Sequence, residues 1–164
     1  MSTLTAHVTD TTLELRLENF ALSLPIGSLL LTKRELSSDP PLPEELTNAI
    51  GLVHDHVDDI VRLHPEVLEV DHVELAGDIV RIVADVEVGT PCQLPFELSR
   101  DAAEDVFRTL ATEARRDRLH NPGLPAAAVD HVVGACCVIV GLMRRLHLGS
   151  VAIIDSTSAT HPLG

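Results

Sequence analysis

Near the start of the chain, Leu13, Leu15 and Leu17 alternate with polar residues. A period of two places every second side chain on the same face, which is typical of a half-buried strand. A turn-forming run of Thr and Asp precedes this piece, and a third apolar piece follows at residues 20–24. We therefore predict three short strands within residues 4–25, which form an antiparallel meander.

Farther along the chain, apolar residues recur with the period of about 3.6 that is typical of helices. The clearest example is residues 43–64, and a shorter helix is predicted at residues 28–36. Two more helices are predicted at residues 100–119 and 126–148. Because the last of these is apolar on most faces, we expect it to lie in the interior.

Residues 67–75 and 151–154 are predicted to form two further strands. The segment at residues 78–88 is ambiguous, because its apolar positions fit both an alternating strand and a helix. As a strand it would pair back on residues 67–75 as a hairpin, and as a helix it would connect two strands. Periodicity leaves both alternatives open.

Together these elements predict one domain of the α/β class over residues 1–155, built on a mixed five-stranded sheet. A chain of 164 residues is long enough to bury a core of this kind. Residues 156–164 follow the last predicted strand and are expected to form a flexible C-terminal tail.

The composition limits the partners of this chain. It has 25 acidic and 12 basic residues, and a formal net charge of -13. A field of that sign repels polyanions, so we expect no nucleic acid partner and no anionic membrane, and polyphosphate or nucleotide binding is disfavoured. The chain has no Trp and no Tyr, and therefore few aromatic surfaces on which bases could stack.

The three cysteines are Cys92 and the adjacent pair Cys136 and Cys137. Adjacent cysteines bond to each other only with strain, so no disulfide framework is implied and a reducing cytoplasm is the expected location. The adjacent pair lies in an apolar segment, which predicts buried and unreactive thiols. The apolar stretch at residues 132–143 is shorter than the approximately 20 residues that span a bilayer, and residues 1–5 lack the features of a secretory leader.

Two clusters of charged side chains are candidates for binding sites. The run His54, Asp55, His56, Asp58 and Asp59 carries metal-ligating residue types. On a helix these side chains point to different flanks, so a solvated acidic helix face is the favoured interpretation.

The basic cluster of Arg115, Arg116 and Arg118 is the second candidate. It fits either a phosphate or acidic partner, or the negative C-terminal end of the helix predicted at residues 100–119, and the spacing favours the helix end.

Three segments resemble one known family. Residues 23–34 (SLPIGSLLLTKR), 39–46 (DPPLPEEL) and 129–135 (VDHVVGA) are similar, in the same order, to segments of the exopolyphosphatase/guanosine pentaphosphate phosphatase family. The resemblance is to the C-terminal half of these proteins and covers nearly the whole chain. It implies the ribonuclease-H-like fold of the actin-like ATPase superfamily, in which residues 78–88 are helical.

The phosphate-binding loops of that family are not matched. The first loop has the family pattern DIGGGSTEL, whereas this chain has HVTDTTLEL at residues 7–15, so that Thr9, Asp10, Thr11 and Thr12 stand at its centre. The glycines that admit phosphate to the backbone are missing. The family's second loop is glycine- and threonine-rich, and here only its glycine remains, as Gly77, followed by Asp78.

The resemblance and these departures imply a non-catalytic relative with degenerate phosphate loops, acting in regulation or as a subunit. Its expected partner is another protein or a second copy of the chain, and no cofactor is expected. The alternative is a phosphoanhydride hydrolase (an exopolyphosphatase or guanosine pentaphosphate phosphatase) that is active only when another chain supplies the missing half. In that case Asp10 and Asp78 would contact a magnesium ion that bridges to phosphate.

Overall fold

The computed structural model describes residues 2–156, and their backbone forms a mixed sheet with helices packed against it. The strands are β1 (Thr3–Val8), β2 (Leu13–Leu17), β3 (Phe20–Leu24), β4 (His72–Ala76), β5 (Phe96–Ser99) and β6 (Ser150–Ile153). The helices are α1 (Ser28–Glu35), α2 (Pro43–Leu63), α3 (Asp78–Val88), α4 (Arg100–Thr112), α5 (Arg115–Arg118) and α6 (Val132–Arg145), with short 3-10 turns at Pro65–Glu69 and Ala126–Ala128.

The strand order across the sheet is β3-β2-β1-β4-β6-β5. Strands β1, β2 and β3 form the predicted antiparallel meander. Strands β1, β4 and β6 run parallel, and β5 is antiparallel at the far edge. Both parallel connections step in the same direction along the sheet, so right-handed crossovers place their helices on one face.

The alternation of burial along the strands agrees with that layering. Side chains on one face of the sheet are buried, for example Leu4, Leu15 and Leu75. Side chains on the other face, such as Glu14 and Glu97, are exposed. Within the described residues the helices therefore cover one face of the sheet and leave the other open.

The α/β fold class is confirmed, but the sheet has six strands where five were predicted. The additional strand is β5, which has only two apolar residues, Phe96 and Leu98, and closely follows Pro95. So short an alternation is not distinguishable from a loop by sequence. At the end of β5 the Ser99 hydroxyl accepts a hydrogen bond from the Ala102 N–H (3.1 Å) and thereby caps α4.

The ambiguous segment at residues 78–88 is helix α3. Its buried residues Ile79, Val80, Val83 and Ala84 follow the helical period. The strand that pairs with β4 on this side is β6, in parallel. Residues 78–88 therefore form no hairpin with residues 67–75. The topology implied by the family resemblance is the correct alternative.

Three predicted boundaries were wrong. The strand predicted at residues 67–75 begins only at His72, after the 3-10 turn Pro65–Glu69. The helix predicted over residues 100–119 is divided into α4 and α5, because Glu113 and Ala114 are extended. The helix predicted over residues 126–148 is shorter, at Val132–Arg145. Residues 157–164 of the predicted tail lie outside the described residues.

Helix α6 is the central helix of the core, as its apolar faces predicted. All its residues from Val132 to Met143 are buried. It contacts α1, α2, α3 and α4. None of the helices in the described part of the chain is both long and apolar enough to cross a bilayer.

Candidate functional site

A cleft of about 610 Å³ lies at the carboxyl ends of β1 and β4. This end of parallel strands is where α/β folds usually bind ligands. Of the six residues singled out in the sequence, Thr9, Asp10, Thr11 and Asp78 line the cleft. Thr12 and Gly77 are their chain neighbours and do not line it. The two loops predicted from the resemblance are therefore adjacent in space.

The β1–β2 turn satisfies its own backbone. The Thr9 hydroxyl accepts hydrogen bonds from the N–H groups of Thr11 (3.3 Å) and Thr12 (2.9 Å). The Thr9 N–H donates to the Thr12 carbonyl oxygen (2.9 Å), and the hydroxyls of Thr9 and Thr12 are 2.7 Å apart. Three amides of the turn are thus bonded within it, whereas a phosphate loop leaves such donors for the ligand.

The same turn also occupies the N-terminus of α1. The Thr9 carbonyl oxygen accepts from the Ser28 N–H (3.0 Å), and the Asp10 carbonyl oxygen accepts from the N–H groups of Leu29 (3.0 Å) and Leu30 (2.9 Å). The first amides of a helix are the donors that can bind an anion. In α1 they are bonded to main-chain carbonyls of the turn instead.

Gly77 is needed for a packing reason that does not involve phosphate. Its φ of 128° lies in a region that side chains rarely adopt, and a Cβ there would be 2.3 Å from the Val8 carbonyl oxygen. The glycine therefore allows the end of β1 and the junction between β4 and α3 to lie in close contact. Asp78 follows as the first residue of α3, where its exposed carboxylate suits the positive end of the helix dipole.

His131 is a cleft residue that the sequence analysis did not single out. It precedes α6, and its Nδ1 lies 3.4 Å from the Ser28 hydroxyl and 3.9 Å from an Asp10 carboxylate oxygen. Both contacts involve the same ring nitrogen, whereas the histidine of a catalytic triad uses one nitrogen for each partner. His131 lies in the segment 129–135 that resembles the family. Its contact with Ser28 could not be predicted, because the two residues are more than 100 positions apart in the sequence.

The cleft lining contains two carboxylates, Asp10 and Asp78, and two imidazoles, His7 and His131. None of the described residues that line it is Lys or Arg. Its fixed charge therefore has the same sign as the net charge of the chain.

The predicted arginine cluster lies outside the cleft lining, and two of its members, Arg115 and Arg118, are bonded elsewhere. The Arg118 side chain is buried and donates to the carbonyl oxygens of Leu110 (3.3 Å) and Glu113 (2.6 Å), at the end of α4. The helix-end interpretation is therefore confirmed for Arg118. Arg115 pairs instead with Asp130, and this hydrogen bond lowers the pKa of the Asp130 carboxyl.

The other candidate clusters lie on helices α2 and α6, outside the cleft lining. Among residues 2–156, no group of three or more His, Cys, Asp or Glu side chains is arranged to hold a metal ion. Within the His54–Asp59 run, Asp58 pairs with Arg145 of α6. Cys136 and Cys137 are buried as predicted, and burial raises both thiol pKa values, that of Cys137 to about 12.

Comparison with known proteins rests on structure. No protein-family model and no curated protein matches the sequence. A crystal structure of an exopolyphosphatase-like protein matches with a TM-score of 0.86 and 18% identity, over 93% of this chain and 55% of that one. The Aquifex aeolicus Ppx/GppA phosphatase, in its type II variant, matches with a TM-score of 0.81 and 14% identity, over 99% and 57%.

An exopolyphosphatase from Cytophaga hutchinsonii matches with a TM-score of 0.74 and 16% identity, over 94% of this chain and 53% of that one. The chain has the Ppx/GppA fold. It spans little more than half the length of these solved structures, so its fold matches about one half of each of them. The predicted resemblance is confirmed at the level of the fold, including the actin-like, ribonuclease-H-like architecture.

Proposed function

We propose that the chain is a non-catalytic Ppx/GppA-like domain with degenerate phosphate loops, acting in regulation or as a subunit. The observation that carries this proposal is the hydrogen bonding of the β1–β2 turn. Its amides bond to Thr9 and Thr12, and its carbonyls occupy the N-terminal amides of α1. The donors that would hold a phosphate are used by the protein itself.

The charge of the cleft supports the same proposal. Phosphate entering it would approach Asp10 and Asp78, and no Lys or Arg among the described lining residues offsets them. Two like charges at about 4 Å repel by about 4 kcal/mol at an effective dielectric constant of about 20. We therefore expect loss of phosphate binding itself, and not only a slower reaction.

Thermal unfolding of the purified chain tests the proposal. Polyphosphate, guanosine pentaphosphate and ATP are each added with and without magnesium. A ligand at about 100 times its Kd stabilises the folded state by about 2.7 kcal/mol, which raises Tm by several degrees for a domain of this size. We expect no shift with any of them. A shift with polyphosphate that Asp10→Arg fails to increase would contradict the charge argument.

The alternative function is a phosphoanhydride hydrolase completed by a second chain. It is favoured by one observation, that Asp10 and Asp78 line the same cleft. Magnesium is commonly held by one or two carboxylates together with substrate phosphates. These two residues are the ones that would hold it, and the ion would neutralise phosphate charge there. A Tm shift that appears only with magnesium and is lost in Asp10→Asn would support this alternative over the first.

The proposed setting is a cytoplasmic one with protein partners. The cytoplasmic setting is supported by the three free cysteines, which suit a reducing compartment. The preference for protein partners is supported by the negative charge of the chain, which disfavours nucleic acids and anionic lipids.

A further inference from the structure

The two edges of the sheet differ in their protection against pairing with another strand. Natural edge strands are protected by charged side chains, by proline or by short length. At one edge, β5 has four residues, follows Pro95 directly and carries the exposed Glu97. At the other edge, β3 has five residues, Phe20–Leu24, and is followed directly by Pro25, but it carries no charged side chain. This lack of charge stands out in a chain with a net charge of -13.

The register of the hairpin shows which backbone groups of β3 point outward. The hydrogen bond from Thr9 N–H to Thr12 O sets the phase of the β1–β2 ladder, so Glu14 and Arg16 bond to β1. Alternation then directs the backbones of Leu13, Leu15 and Leu17 to β3, where they pair with Leu24, Leu22 and Phe20.

The remaining β3 residues, Ala21 and Ser23, therefore direct their N–H and C=O groups away from the sheet. Both residues are exposed. They present two donors and two acceptors to an incoming strand, and their small side chains do not obstruct it.

The apolar side chains of β3 are also incompletely covered. Phe20, Leu22 and Leu24 are half-buried, whereas the corresponding residues of β2 are fully buried. A strand added beside β3 would bury more of these three side chains. The edge thus combines free backbone groups with apolar surface that a partner strand would bury.

We propose that β3 is a self-association surface, at which a second copy of this chain adds its own β3 antiparallel. The two-fold axis passes midway between the two Leu22 residues, so that Ala21 of each copy pairs with Ser23 of the other. The outward N–H and C=O groups of Ala21 and Ser23 in both copies are then all hydrogen-bonded. Leu22 faces Leu22 of the second copy. Phe20 and Leu24 face each other across copies, and no charged residues stand opposite each other within Phe20–Leu24.

A second copy fits better than an unrelated strand because the sequence of β3 is nearly symmetric about Leu22. Large apolar residues occupy both ends and the centre, and small residues lie between them. The same five residues therefore supply both sides of the interface. This inference does not depend on the proposed function, because it uses no cleft residue.

The first test is the mass of the full chain in solution, measured by light scattering after size exclusion over a hundredfold range of concentration. We expect a dimer at the higher concentrations. Ser23→Pro removes an outward N–H without breaking a bond to β2, and we expect it to be a monomer. Ser23→Ala keeps that N–H and is expected to remain a dimer. A wild-type monomer at every concentration, or a dimeric Ser23→Pro variant, would overturn the proposal.

A second test fixes the register and does not depend on how well the proline variant folds. Residues opposite each other in a non-hydrogen-bonded antiparallel pair have Cα atoms about 4.5 Å apart, within the range that a disulfide requires. Leu22→Cys is therefore expected to form a disulfide-linked dimer under mild oxidation. Leu24→Cys lies on the same edge and face but opposite Phe20, and should not. Equal cross-linking of the two variants, or none in either, contradicts this register.

Discussion

The Glu45 carboxylate accepts hydrogen bonds at the N-terminal end of α2. Its donors are the Leu42 N–H (2.8 Å) and the amide and hydroxyl groups of Ser37 and Ser38. These bonds, that of Leu42 foremost, lower the pKa of Glu45 to about 2. The carboxylate thus joins the loop after α1 to the first turn of α2, where negative charge also suits the helix dipole.

This pKa predicts an acid-sensitive contribution to stability. Because the pKa of Glu45 is lower in the folded state, its contribution is fully present above the unfolded pKa of about 4.3 and is lost as the pH falls towards about 2. Glu45→Gln should therefore be less stable than the wild type at pH 7, with the difference shrinking below pH of about 4. Urea unfolding across this pH range measures it.

The matched control is Glu44→Gln, in the same helix turn, because the Glu44 side chain is exposed. It should leave the slope of stability against pH nearly unchanged in the acid range. Equal pH profiles for the Glu45 and Glu44 variants would contradict the assigned role of Glu45.

At the scale of elements, α6 depends on close approach to its neighbours. A Cβ at Gly134 would lie 2.2 Å from the Ser28 carbonyl oxygen of α1. Backbone on both sides leaves little room for relaxation, so Gly134→Ala should destabilise the fold by about 1 to 3 kcal/mol. Gly51 in α2 is the control, since a Cβ there meets no atom within 4 Å. Gly51→Ala should raise the free energy of unfolding by about 0.5 to 1 kcal/mol, because alanine favours a helix more than glycine does. Urea unfolding measures both variants. Similar signs for both variants would contradict the packing argument.

The C-terminal end of α6 is joined to α4 by a charged pair. The Arg144 guanidinium donates to both carboxylate oxygens of Glu104 (2.8 and 2.6 Å), and Glu104 is largely shielded from water. Arg144→Ala leaves that carboxylate without its partner and should cost about 1 to 2 kcal/mol. Arg108, whose pair with Asp105 is exposed, is the control. Arg108→Ala should cost about 0 to 0.5 kcal/mol. Equal losses in urea unfolding would show that shielding of the pair does not matter.

At the scale of the whole molecule, the sequence predicts the elements with strong periodicity and misses those defined by tertiary contacts. The meander, α2 and the buried helix α6 follow from local pattern. The helix at Asp78–Val88 follows only from family resemblance, because its side chains fit two periods equally well. Strand β5 is formed by pairing with β6, and nothing within its four residues identifies it.

The candidate cleft shows the same division. Sequence alignment to a family pattern is enough to bring Asp10 and Asp78 together. It does not predict the hydrogen bonds of the turn, because those depend on the path of the backbone. It also misses His131, which approaches Ser28 only after α1 and α6 pack.

The contact between the β1–β2 turn and α1 also limits what substitutions in the turn can change. The groups that occupy the helix amides are the main-chain carbonyls of Thr9 and Asp10. Every amino acid has such a carbonyl, so no single substitution in the turn removes these acceptors while its backbone path is kept. A phosphate-binding loop at this position would need a different turn conformation, reached by several simultaneous glycine replacements or by a change in loop length. Single point mutations that keep the backbone path therefore cannot free these amides for a ligand.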